Sequence, residues 1–135
     1  ESPKALARIA SGGELSRVML ALRTVASADD GGKTLVFDEV DAGIGGEAAD
    51  RVGAKLKALA KQYQVLCVTH LPQIASHGSS HCRVDKSVVN GRTTTTVEWL
   101  DKEERAIEIA RMMTGTRIST TVLETARELL SDKGE

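Results

Sequence analysis

Two short apolar runs with an amphipathic helix pattern between them restrict this chain more than any other feature. Thr34-Leu35-Val36-Phe37 and Val65-Leu66-Cys67-Val68 carry no charge, as expected of strands buried on both faces of a parallel sheet. Between them Ala49, Val52, Leu56, Leu59 and Tyr63 mark one face of a helix over about 46–63. Strand, helix, strand is a βαβ unit, which dictates parallel pairing with a right-handed crossover. The predicted class is therefore α/β. Functional groups are expected at the carboxyl ends of the two strands, where open α/β sheets place their ligands.

The flanking segments add further elements. Leu15, Val18, Met19, Leu22 and Val25 predict a helix from about Gly12 to about Ala28, which Asp29-Asp30-Gly31-Gly32 breaks. Pro72 suits the first turn of a short helix that ends near Gly78. Asn90-Gly91 separates 81–89 from 92–100 and is a strong hairpin signal. Asp101 and Glu104 then cap a helix carrying Ile107, Ala110 and Met113 toward Gly115, and Leu123, Ala126 and Leu130 mark a last helix over about 120–131.

Composition narrows the function classes. At 135 residues, with 41% hydrophobic and 27% charged residues, the chain fits one soluble globular domain and not a disordered one. Aromatics are only 2%, which argues against recognition of single strands by base stacking. A net charge of −1 leaves no global electrostatic footprint for nucleic acid, so DNA contact needs a local patch or another part of a larger protein. Cys67 and Cys82 read as free thiols of a reducing cytosol. No apolar run approaches the roughly 18 residues of a membrane span, and there is no signal-peptide pattern. The first residue is Glu1 and not methionine, as expected of a processed or recombinant fragment.

Three groups of residues point to phosphate chemistry. Asp38-Glu39 ends the first apolar strand, where adjacent carboxylates are costly unless a cation or a catalytic role retains them. The first can hold Mg²⁺ through its hydration water, and the second can orient and deprotonate an attacking water. A solvated pair capping the strand is the plain alternative. His70 ends the second strand, so the βαβ geometry brings it near that pair. There it can hydrogen-bond a γ-phosphate or an attacking water, or serve only as a satisfied strand-end histidine. Ser11-Gly12-Gly13-Glu14 combines a capping box with free N–H groups at a helix N-terminus, a ready anion site. An ordinary cap is the alternative, and the glycine pair favours close approach of a ligand.

Two other patterns are rejected. Gly32-Lys33-Thr34 resembles the end of a phosphate-binding loop, but the register needs glycine where Ser27 stands, and the stretch leaves a helix to enter a strand. His70, His77, His81, Cys67 and Cys82 match no zinc spacing. The Thr93–Thr96 run is explained by β-propensity in an exposed hairpin.

In their order along the chain, Ser11-Gly12-Gly13-Glu14, Leu35 to Glu39, and Val68-Thr69-His70 resemble the signature motif, the Walker B strand and the switch histidine of ABC-type ATPase heads. Glu14, where transporters usually carry glutamine, points to the SMC-like branch. The runs Ala10 to Arg17, Phe37 to Gly46 and Val68 to Ala75 resemble a bacterial DNA repair group within it. The resemblance covers nearly the whole chain, including the hairpin and the two closing helices. It implies the C-terminal lobe of an ABC/SMC-type P-loop NTPase head, with a parallel βαβ core, a following β-hairpin and two closing helices. Residues 1–10 would end a coiled-coil return or linker, and residues 11–135 would form the lobe.

The resemblance also implies roles. Asp38 would position Mg²⁺ through water, Glu39 would be the general base, and His70 would sense the γ-phosphate. Ser11, Gly12, Gly13 and Glu14 would bind, in trans, a nucleotide held by the opposite protomer, with Ser11 and Gly13 on its γ-phosphate. Asp41, Ala42, Gly43, Ile44 and Gly45 would form the D-loop region that crosses to the partner site. Two positions depart from the pattern. Ala10 stands where leucine is common, and Gly45 stands where many such loops end in aspartate, so no aspartate role transfers there.

The implied cofactors are ATP and Mg²⁺. The implied partners are an N-terminal head lobe with the Walker A lysine, a second copy across an ATP sandwich, and DNA through the intact protein, with no membrane. The implied location is bacterial cytoplasm, associated with the nucleoid. Lacking Walker A, the lobe alone is expected to be inactive and to expose one side of its sheet. A non-catalytic nucleotide-sensing or dimerisation module, or the head lobe of another SMC-like or transporter ATPase, is the alternative.

Overall fold

The computed structural model describes residues 12–25 and 33–133. It divides into two compact units at His77/Gly78. Residues 1–10, Ser11 and the predicted end of the first helix beyond Val25 lie outside the described residues.

The first unit runs α1 (Gly12–Val25), β1 (Thr34–Phe37), α2 (Gly46–Leu59), β2 (Gln64–Cys67) and α3 (Pro72–Ala75). β1 and β2 pair in parallel, from Thr34 opposite Gln64 to Phe37 opposite Cys67. The Val68 N–H donates to the Phe37 carbonyl at 2.9 Å and extends the ladder by one residue. The chain therefore leaves both strands at the same end, with Asp38-Glu39 after one and Thr69-His70 after the other.

The helices cover one face of this pair. Phe37 packs with Leu20, Val40, Ala49, Leu56, Leu59, Tyr63 and Ile74 in a buried cluster, flanked by Leu35, Val65 and Cys67. On the opposite face Val36, Leu66 and Val68 are 66%, 49% and 60% exposed. The apolar runs predict burial on both faces, whereas this sheet is covered on one. α2 also stops at Leu59 and does not continue to residue 63. Its end tightens through Lys61 N–H to Ala58 O and Gln62 N–H to Leu59 O, at 3.3 and 3.1 Å. That turn buries Tyr63 and delivers Gln64 to the strand.

The second unit holds the hairpin β3 (Cys82–Val89) and β4 (Arg92–Trp99), then α4 (Lys102–Thr114) and α5 (Thr120–Asp132). Asn90 and Gly91 both take left-handed backbone, with φ of 51° and 74°, as a two-residue hairpin turn requires. α4 begins with the expected capping box. Glu104 N–H donates to Asp101 Oδ1 at 2.8 Å, and Asp101 N–H donates to Glu104 Oε2 at 2.9 Å. Ala106, Ile109 and Ala110 of α4 and Ala126 and Leu130 of α5 are buried, whereas Ile107, one of the positions expected to mark the α4 face, is 44% exposed.

Candidate functional site at the strand ends

The site starts where β1 ends. Phe37 is buried, Asp38 and Glu39 are exposed, and Val40 and Asp41 are buried again. This break in the strand alternation requires an unusual backbone, and Glu39 supplies it with φ of 55°. A non-glycine residue held there costs on the order of 1–3 kcal/mol, and such residues cluster at functional sites. The turn is closed by Ala42 N–H to Glu39 O at 3.0 Å and Ile44 N–H to Asp41 O at 3.2 Å. Asp38 Oδ1 accepts the Glu39 N–H at 2.9 Å. Both carboxylates are thereby turned outward on a backbone that is itself bonded.

The first turns of α1 lie against this loop. Ser16 Oγ donates to the Asp38 carbonyl at 2.6 Å. Arg17 Nη1 donates to the carbonyls of Ala42 and Val40 at 2.7 and 3.2 Å. A Cβ on Gly13 would stand 2.6 Å from both the Glu39 carbonyl oxygen and the Ala42 Cβ. The sequence leads one to expect a ligand close to the glycine pair, and what the structure brings against Gly13 is a loop of the same chain. Gly12 opens α1, Glu14 is exposed, and Ser11, the first residue of the predicted signature, lies outside the described residues.

At the end of β2, Asp41 joins the two strand ends. Its Oδ2 accepts from Thr69 Oγ1 at 2.6 Å and from the His70 N–H at 2.8 Å. His70 Nδ1 lies 2.8 Å from the same oxygen. Burial would raise the pKa of this carboxyl, but the Thr69 and His70 hydrogen bonds outweigh it and hold Asp41 below the usual carboxylate value. In the loop expected to cross to a partner, Asp41 turns into its own unit. The following residues come to the surface, with Ala42 and Ile44 half-buried and Gly43 and Gly45 exposed.

Neighbouring groups have structural roles. Burial, reinforced by the charges of Asp41 and Asp38, pushes the Cys67 thiol up to about 12, so it is no nucleophile near neutral pH. His77 is buried with Nε2 2.8 Å from Asp50 Oδ1. Sequence reasoning missed Ser16, Arg17 and Thr69. Ser16 and Arg17 follow Gly13 by three and four positions, which places all three on one helix face. That spacing was the available signal. Thr69 carried none beyond its place before His70.

No family model matches the chain. It is 52% identical to the DNA repair protein RecN of Xylella fastidiosa (strain 9a5c) over 135 residues, which is 100% of this chain and 24% of that protein. It is 55% identical to RecN of Deinococcus radiodurans over 126 residues, 93% of this chain and 22% of that protein. With RecN of Bacillus subtilis (strain 168) it shares 42% over 130 residues, 96% and 23% of the two chains. The chain thus spans about a quarter of the length of the curated relatives it matches. A solved structure described as "Structural biochemistry of ATP-driven dimerization and DNA stimulated activation of SMC ATPases" is also similar. It has a TM-score of 0.54 at 18% identity, over 87% of this chain and 69% of that one. The chain therefore shares the fold of that structure, the class that the ordered motifs led one to expect.

Proposed function

The chain belongs, as a homologous segment, to the RecN family of DNA repair proteins, and on that premise we propose that it supplies the hydrolytic carboxylates and switch histidine of an SMC-like ATPase acting in double-strand-break repair. The observation that carries the reading is the common strand edge, where the exposed pair Asp38-Glu39 and His70 are linked through Asp41.

Asp38 is the residue that would hold Mg²⁺. It is exposed, and its Oδ1 accepts the Glu39 N–H, while its other oxygen accepts no hydrogen bond from the described residues. A single carboxylate of this kind fits an ion that keeps several waters and takes few protein ligands. Bound there, Mg²⁺ would neutralise charge on the phosphates of ATP. Glu39 accepts the proton of the attacking water, its carboxylate turned outward by the left-handed backbone. His70 acts at the γ-phosphate. Ser11 to Glu14 serve a nucleotide on a second copy, and Ala42 to Gly45 reach toward that copy. The phosphate-cradling loop comes from another segment of the intact protein, which binds DNA and works in the cytoplasm.

The test is Glu39→Gln in the full-length protein. Turnover of ATP should fall by about 10²- to 10⁴-fold, the usual contribution of a general base, while ATP still binds and ATP-bound dimers accumulate. The 135-residue chain alone should hydrolyse ATP negligibly. Unchanged turnover in Glu39→Gln would refute the assignment.

A further inference from the structure

Two hydrogen bonds and one ring nitrogen converge on a single oxygen of Asp41. Its side chain is 5% exposed. Thr69 Oγ1 accepts the Leu71 N–H at 3.1 Å, so its own hydrogen is directed at Asp41 Oδ2, 2.6 Å away. The His70 backbone N–H reaches the same Oδ2 at 2.8 Å. The third group is His70 Nδ1, also at 2.8 Å. This approach is a close contact and not an aligned hydrogen bond. An ionised carboxylate only accepts hydrogen bonds and would repel a bare nitrogen lone pair at that distance, which favours the proton on Nδ1. A neutral imidazole has one N–H, and Nε2 is then left with its lone pair. Because the backbone N–H of the same residue bonds the same oxygen, both the ring and its main chain are tied to Asp41. The His70 side chain is otherwise 75% exposed.

We propose that Asp41 is the positioning residue of His70: it pins the ring through Nδ1–H and presents Nε2 as the working nitrogen at the strand edge. This rests on the ATPase reading for its consequence and not for its geometry. In the neutral ring Nε2 accepts a hydrogen bond from water, and it donates to an anionic phosphate oxygen only after taking up a proton. Asp41 does this work within its own chain, although it belongs to the loop expected to cross to a partner. Thr69 completes the clamp by keeping the carboxylate ionised and oriented.

Histidine ¹⁵N labelling of the chain tests the proposal without any turnover. There are three histidines, and His70→Gln assigns the His70 signals. At neutral pH the long-range ¹H–¹⁵N spectrum should show a protonated Nδ1 and a bare Nε2 for His70, and Asp41→Asn should shift the ring toward the Nε2–H tautomer that free histidine favours. A wild-type spectrum with Nε2–H overturns the proposal, whether or not any variant folds.

In the full-length protein Asp41→Asn should lower kcat for ATP by about 10- to 100-fold with KM little changed, the usual size of an effect transmitted through an orienting partner. In a His70→Gln background it should add almost nothing. Full additivity of the two substitutions overturns the positioning role. Glu39→Gln separates the two ideas. If it leaves turnover intact, the ATPase reading fails while the tautomer result stands. If it abolishes turnover but Asp41→Asn does not change kcat, the positioning role fails alone.

Discussion

Replacing Gly13 by alanine separates two accounts of the glycine pair by the sign of one measurement. In an ordinary helix interior the change stabilises by about 1 kcal/mol, because glycine has the poorer helix propensity. Here the added Cβ would lie 2.6 Å from the Glu39 carbonyl oxygen and 2.6 Å from the Ala42 Cβ. Neither neighbour is the free end of a flexible side chain. The Glu39 carbonyl already accepts the Ala42 N–H, and the carbonyls on either side of it are bonded to Ser16 and Arg17. Overpacking costs about 1–3 kcal/mol, and a backbone that cannot yield puts this site in the upper half of that range. The expected balance is a net loss of about 1–2 kcal/mol. Urea unfolding of the chain measures it. Removing one of the two overlapping atoms, in Gly13→Ala combined with Ala42→Gly, should recover part of the loss as a coupling energy. A Gly13→Ala chain more stable than wild type would refute the packing of α1 on the carboxylate loop.

Glu39→Gly should raise stability by about 0.5–1 kcal/mol in the same assay, since relief of a left-handed L-residue exceeds the added unfolded-state freedom; a loss would show that φ of 55° carries no strain. Asp41 is held below its usual pKa by Thr69 and His70 against the effect of burial, so its contribution is complete above the unfolded value of about 4 and is lost as pH falls through the lower folded value. The stability gap between wild type and Asp41→Asn should therefore be constant from neutral pH to about 5 and close below 4; a gap that widens in acid contradicts this sign. Cys67, with its thiol pushed up to about 12, should be alkylated at pH 8 far more slowly in the folded chain than in urea, as followed by mass spectrometry of the labelled peptide.

What was legible from the amino acids depended on the range of the interaction. The βαβ unit, the Asn90-Gly91 turn and the Asp101–Glu104 capping box are local patterns, and each appears at its predicted place. The exposure of Val36, Leu66 and Val68 is not local: an uninterrupted apolar run reads the same whether one face or two are covered, and the open face was expected only from the family resemblance and its missing lobe. The site divides in the same way. Asp38, Glu39 and His70 are placed by strand ends, which periodicity locates. The partners that hold them are 22 to 29 residues away in sequence: Ser16 bonds Asp38, Arg17 bonds Val40 and Ala42, and Asp41 bonds Thr69 and His70. No spacing rule reaches across such separations.

Those long-range partners also explain how one short loop keeps two exposed carboxylates in a definite place. Among the described residues Asp38 and Glu39 have little side-chain anchoring, and a surface residue so placed would ordinarily sample many rotamers. The restraint comes through the main chain instead. Ser16, Arg17 and the Ala42 N–H engage the carbonyls of Asp38, Val40, Ala42 and Glu39, and Gly13 packs on the last of these. The next side chain along, Asp41, then fixes the end of β2 and the ring of His70. Rigidity is thus placed in the backbone and in a buried carboxylate, and the carboxylates that would meet a ligand stay solvated and free to bind it. A disturbance of α1 at Gly13, Ser16 or Arg17 should consequently reach Glu39 and His70 together, since both are held by the same loop.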